Sequence, residues 1–205
     1  MIFEREFFVK IYGDAQSGNC LKVKFLADYL NLDYEWVEID LLKGETRSEE
    51  FLLKSPFGQV PLIELDDGRV IGQSNGILRF LARGTGLLPT DAFLEAKVDE
   101  WLFWEQYSHE PYIAVSMFQM FYLKKKKEER ELWRVERGEK ALDLLNQHLS
   151  QYDWLVGEQL TIADIALFAY THRCHLGGFG LETRASILSW LSRCREEFKI
   201  SIDSV

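Results

Sequence analysis

A proline at the head of an apolar run constrains this chain more than any other feature. Residues Phe57-Gly58-Gln59-Val60-Pro61 lead directly into Leu62, Ile63 and Leu65, and a turn at Asp66-Asp67-Gly68-Arg69 leads on to Gly72-Gln73-Ser74-Asn75. Proline has no N–H to give to a sheet ladder, so Pro61 belongs at a turn or at a strand start. A Val60-Pro61 bond in that place is a candidate cis peptide. Such a turn presents the backbone N–H and C=O of Val60 to a cleft. Gln73 and Ser74 then open a helix, with Ser74 read as its cap, and a helix N-terminus holds anions. One peptide-like ligand with a carboxylate matches both features.

The pattern around this segment changes character along the chain. Phe7 to Tyr12 reads as a buried strand, Leu21 to Leu30 as an amphipathic helix, and Tyr34 to Ile39 as an alternating strand. A short helix follows over Ser48 to Lys54. Val60 to Leu65 and Arg69 to Ile71 form a hairpin around Asp67-Gly68, and Ser74 to Leu81 is helical. The first strand, helix and strand predict a parallel crossover. Gly84, Gly86 and Pro89 break the pattern. Beyond them only helical periodicity is found, over about Asp91 to Tyr122, Glu128 to Gln151, Ile162 to Cys174 and Thr183 to Phe198. The expected class is therefore α/β followed by all-α, with a βαβαββα domain over residues 1–85 and a helical bundle over 92–205. Thr161-Ile162-Ala163-Asp164 reads as a capping box, and Leu160 and Ile165 take the positions of a hydrophobic staple. Pro111 is expected to kink the long helix that contains it.

Composition narrows the class of function. A formal net charge of −9 disfavours nucleic acid or an anionic membrane as the main partner. The run Lys124 to Lys127 passes straight into Glu128, Glu129 and Glu131, which reads as a solvated segment. Three widely spaced cysteines, Cys20, Cys174 and Cys194, suggest neither a disulfide framework nor a metal pattern. With no apolar run near membrane-spanning length and charged residues at the start, the expected compartment is the cytoplasm.

The loop after the first strand reads Ser17-Gly18-Asn19-Cys20. This is a Cys-x-x-Cys register with serine in the attacking position. A hydroxyl there removes dithiol exchange and leaves a donor at a helix N-terminus, suited to stabilising a ligand's thiolate. Together with Gly44-Glu45-Thr46-Arg47, Ser55 to Pro61, Gln73 to Leu78, and Leu160 to Ala166, the chain resembles the cytosolic glutathione transferases over nearly its full length. It is most similar to the serine-type classes that include many bacterial members.

The resemblance implies a thioredoxin-like first domain and glutathione as co-substrate. It implies that Ser17 donates to the glutathione sulfur, with Asn19 assisting or replacing it. Val60, at the turn with Pro61, pairs with the cysteinyl backbone, Gln73 and Ser74 hold the γ-glutamyl group, and Arg47 with Gln59 faces the glycyl carboxylate. The long helix of the second domain implies an acceptor pocket at Tyr107, Ser108 and Tyr112 for a small hydrophobic electrophile or a peroxide. A cytoplasmic homodimer engaged in detoxification is the further implication. Two alternatives stay open: a glutathione-dependent disulfide reductase or peroxidase using Cys20, and a non-enzymatic ligand-binding or scaffold protein of the same fold. Ser17 as a plain helix cap and Cys20 as a packed thiol remain the simpler readings of those two residues. His109 reads as structural or surface.

Overall fold

The computed structural model describes residues 8–198. The chain divides after Leu88 into two compact units. The first carries a four-stranded mixed sheet in the order β2-β1-β3-β4. β1 (Val9–Gly13) and β2 (Tyr34–Glu38) run parallel, whereas β3 (Leu62–Leu65) is antiparallel to β1 and β4 (Val70–Gly72) antiparallel to β3. Phe7, which the sequence assigns to the first strand, lies outside the described residues.

Alternation along β1 buries Val9, Ile11 and Gly13 on one face. α1 (Gly18–Tyr29) and α3 (Ser74–Ala82) pack together beside this sheet. α1 is buried nearly all round, which suits its run of Cys20, Leu21, Val23, Phe25, Leu26 and Ala27. The other face of the sheet carries the short α2 (Glu49–Lys54), capped by Ser48 Oγ accepting from Phe51 N at 3.2 Å. Phe51, Ile39 and Leu62 form a small core there, with Tyr12, Val37 and Val60 packed against it. Glu64 Oε2 accepts from both Tyr12 Oη (2.6 Å) and Lys54 Nζ (2.7 Å), which ties the end of α2 to the sheet.

The second unit is helical. α4 (Ala92–Trp104) and α5 (Glu110–Met117) are joined by a π-helical turn at Glu105–His109, and a second such turn spans Phe118–Tyr122. The kink expected at Pro111 is resolved this way. Proline cannot donate within a helix, so the backbone widens ahead of it and Glu110 N reaches back to Glu105 O. His109 lies in this turn and is buried, with Nε2 3.1 Å from Thr171 Oγ1.

α6 (Leu132–Leu149) starts later than the periodicity suggests. The preceding basic–acidic stretch forms only a 3-10 turn at Lys127–Glu129, and Arg130 turns its guanidinium onto the carbonyls of Lys127, Gly177 and Gly178. α7 (Ile162–Thr171) is buried on every side and ends before Cys174, which belongs to a 3-10 turn. α8 (Ala185–Phe198) follows.

The expected capping box is present. Thr161 Oγ1 accepts from Ala163 N, and Asp164 Oδ2 accepts from Thr161 N at 3.0 Å. Asp164 Oδ1 further accepts from Leu155 N and from the Trp190 indole, both at 3.0 Å, so one carboxylate ties together three segments of the bundle. Leu160 and Ile165 are buried, as a staple requires. Among the described residues no helix is long and apolar enough to cross a membrane.

Candidate functional site

The register of the sheet collects the motif segments at one end. Tyr12 pairs with Leu62, and Leu62 pairs with Gly72. The loop after β1, the turn before β3 and the start of α3 therefore emerge side by side, although the first is some fifty residues from the other two in the chain. This is the carboxyl end of β1, where open α/β sheets present their crevices.

The loop after β1 is tightly built. Buried Asp14 accepts from Gln16 N through Oδ1 (2.7 Å) and from Ser17 N through its carbonyl (3.0 Å). Glu38 accepts from Ala15 N (3.1 Å) and from the Trp36 indole (2.6 Å), which fixes the far side of the loop. Ser17 occupies the N-cap position of α1 in an extended conformation, and its side chain makes no capping hydrogen bond. Ser17 therefore does not cap the backbone of α1; its side chain is engaged instead with the Cys20 thiol.

Cys20, three residues on, is fully buried with its sulfur 3.4 Å from Asp14 N. Burial pushes its thiol up to about 12, against smaller opposing effects from the Ser17 side chain and the Asp14 backbone. Such a thiol is not an attacking nucleophile at neutral pH.

The turn before β3 holds a cis Val60-Pro61 peptide bond. Pro61 is buried and Val60 half-buried against the small core below it. Gln59 is exposed, and its Oε1 accepts from Gln73 Nε2 at 3.2 Å. Gly58 has φ +56°, and a Cβ there would stand 2.7 Å from Arg47 Nη1. The exposed Arg47, in the 3-10 turn Glu45–Arg47, thus lies directly over this glycine.

The start of α3 corrects one expectation. Gln73, at φ +66°, holds the N-cap position and Ser74 is the first helical residue. The Ser74 hydroxyl instead donates to Asn19 Oδ1 at 3.0 Å, joining the first turns of α1 and α3. Lys22, one helical turn below Asn19, was not singled out in the sequence. It is completely buried, and its ammonium lies 3.5 Å from both Ser74 Oγ and Asn75 Oδ1. A lysine flanked by Leu21, Val23, Phe25 and Leu26 on a buried helix was the available signal.

Seven of the expected site residues therefore lie on the segments at this edge. Asn19 with Ser74, and Gln59 with Gln73, meet directly; Ser17, Val60 and Pro61 adjoin them in the chain. Arg47 joins them through Gly58.

The N-terminal domain model of the glutathione S-transferase family matches residues 16–83, and its C-terminal domain model matches residues 127–196. Glutathione S-transferase 3 of Zea mays is 32% identical over 165 residues, covering 76% of this chain and 73% of that protein. The chain belongs to the glutathione S-transferase family. Among solved structures, a glutathione S-transferase from Pseudomonas fluorescens is 48% identical with a TM-score of 0.89, over 91% of this chain and 94% of that one. A glutathione transferase homologue from Drosophila mojavensis, solved with bound glutathione, is 26% identical with a TM-score of 0.83, over 93% of this chain and 88% of that one. The shared glutathione S-transferase architecture covers both units described above.

In the helical unit the three residues expected at an acceptor pocket differ in setting. Tyr107 is 82% exposed within the π turn. Ser108 and Tyr112 are half-buried, and Tyr112 Oη accepts from Arg137 Nη1 at 3.1 Å. Trp101, by contrast, is buried and packs edge-on against Trp104 and His148.

Proposed function

We propose that this chain binds glutathione along the sheet edge defined by the Tyr12–Leu62–Gly72 register and ionises its thiol for attack on a small electrophile or a peroxide. The observation that carries the reading is the Ser17 hydroxyl, placed at the N-cap of α1 without a capping bond. A thiol with an ordinary pKa near 8.5 is mostly protonated at neutral pH, and lowering it by about two units takes roughly 2.7 kcal/mol of preferential thiolate stabilisation. One hydroxyl donor and the positive end of a twelve-residue helix are groups of the right kind and sign. The thiolate is the competent nucleophile.

In this reading Ser17 touches the sulfur, while Asn19, whose Oδ1 is engaged by Ser74, positions the γ-glutamyl side. The Val60 backbone pairs with the cysteinyl residue beside Pro61. Gln73 and Ser74 take the γ-glutamyl group, and Arg47 and Gln59 take the glycyl carboxylate. Tyr107, Ser108 and Tyr112 of the helical unit serve the acceptor, and the active species is a cytoplasmic homodimer of the serine-type class acting in detoxification. Cys20 supplies no disulfide exchange, because its thiol is enclosed and held protonated.

The test is turnover of an aromatic halide and of an organic peroxide with glutathione. Both rates should fall at least tenfold in Ser17→Ala, the range for loss of one positioned donor. Unchanged rates in both Ser17→Ala and Asn19→Ala would remove the assigned chemistry.

A further inference from the structure

Arg137 stands where two aromatic rings meet. Tyr112 on α5 and Trp133 on α6 lie edge to face, with ring centroids 6.3 Å apart and planes at 88°. The Arg137 guanidinium is 5.7 Å from each centroid, within cation–π reach of both, and its Nη1 donates to Tyr112 Oη at 3.1 Å. A guanidinium carries several N–H donors in a planar fork, so this one bond leaves most of them open. Arg137 is exposed, and among the described residues no carboxylate pairs with it, that of the adjacent Glu136 included. Other acids nearby are already engaged: Arg184 holds Glu139 at 2.6 Å, and Arg134, 4.5 Å over the Trp133 ring, holds Glu131 at 3.2 Å. Trp133 leaves 49% of its surface exposed, although few side chains have more apolar area to gain by burial.

We propose that Arg137 sets the specificity of the acceptor site, selecting aromatic acceptors that bear a carboxylate. This rests on the glutathione reading above, which gives Tyr112 to the acceptor. The guanidinium fork takes the carboxylate bidentately, and the exposed Trp133 ring takes the arene. The two rings and the Tyr112 hydroxyl hold the guanidinium in place beforehand, so little side-chain freedom is lost on binding. The chain's net charge of −9 repels anions in general. Local positive charge without a paired acid is therefore what admits one.

The test pair is a chloronitrobenzoate with its chlorine para to the carboxylate, and the matching chloronitrobenzamide. With either one, the glutathione thiolate bonds to the ring carbon and chloride leaves with the electron pair of the broken C–Cl bond. Dividing each kcat/KM by the uncatalysed rate with glutathione removes the difference in ring reactivity. The full chain should then favour the carboxylate by about tenfold, the scale of one charge-assisted bidentate contact. Arg137→Gln should bring the ratio close to unity, and Arg137→Lys, which lacks the planar fork, should keep only part of it. A ratio near unity in wild type, or one that Arg137→Gln leaves unchanged, would overturn the proposal. Turnover of neither compound would instead overturn the glutathione reading. Calorimetry of nitrobenzoate against nitrobenzamide then decides the anion site by itself: the same preference, lost in Arg137→Gln, upholds it, and equal binding of the two overturns it.

Discussion

The Ser74 hydroxyl donates to Asn19 Oδ1 across 3.0 Å, between residues 55 positions apart in the chain. This bond joins the first turns of α1 and α3 and leaves Gln73 as the residue at the N-cap of α3. The two helices present their positive ends at the same sheet edge as a result, and the roles of Ser17 and Asn19 can be separated by experiment.

Ser17→Ala should raise the pKa of the bound glutathione thiol by one to two units, the scale of a lost charge-assisted hydrogen bond. The measurement is the ultraviolet absorbance of the thiolate against pH. Asn19→Ala should leave that pKa close to wild type and raise KM for glutathione about three- to tenfold, as for one lost neutral hydrogen bond. A thiol pKa that moves more in Asn19→Ala than in Ser17→Ala would exchange the two roles.

Gly58→Ala tests the link between Arg47 and the turn before β3. The backbone stands at φ +56°, and an added Cβ would meet Arg47 Nη1 at 2.7 Å and the Thr46 carbonyl at 3.0 Å. A left-handed non-glycine residue costs about 1–2 kcal/mol. Denaturant unfolding should show a loss of that size, and glutathione affinity should fall because Arg47 must swing away. Retained affinity in the folded variant would separate Arg47 from the ligand.

Asp164 anchors the helical unit through acceptor bonds to Thr161 N, Leu155 N and Trp190 Nε1, each at 3.0 Å. Removing a buried carboxylate that serves several enclosed donors leaves each of them unsatisfied, at about 1–3 kcal/mol apiece. Asp164→Ala should therefore destabilise by about 4 kcal/mol or more. Thr161→Ala should lose about 1 kcal/mol, as for a missing cap. Equal losses in the two variants would mean that only the local box matters.

His172 gives the fold an acid-sensitive element. It stacks on Phe168 at 4.5 Å with its Nδ1 2.7 Å from the Phe168 carbonyl, and burial lowers its pKa from 6.5 to about 4. The unfolded chain binds this proton below about pH 6.5, whereas the native state resists it down to about pH 4. Stability is therefore lost as pH falls through that window, by up to about 3 kcal/mol. Thermal denaturation of His172→Gln should show a shallower decline between pH 6.5 and 4 than wild type. Parallel curves would place the acid sensitivity elsewhere.

Some features of this protein were legible because their causes are local. The capping box needs only Thr161 and Asp164, three positions apart, and helix and strand periods are carried by neighbours along the chain. The turn at Val60-Pro61 was marked by proline's own geometry, and the order of elements followed from the patterning on either side of it. Residues that face each other across the fold were another matter. Ser74 looked like a cap because a serine beside a helix start caps in most settings, yet its hydroxyl found Asn19. Lys22 drew no notice in the sequence, yet packing encloses it against Ser74 and Asn75. The chain's own sequence determined which segments could bind and which elements would carry them. The tertiary structure decided which side chains meet there, because the pairing of Tyr12 with Leu62 and of Leu62 with Gly72 brings distant segments to one edge, and no period along the chain encodes a partner fifty residues away.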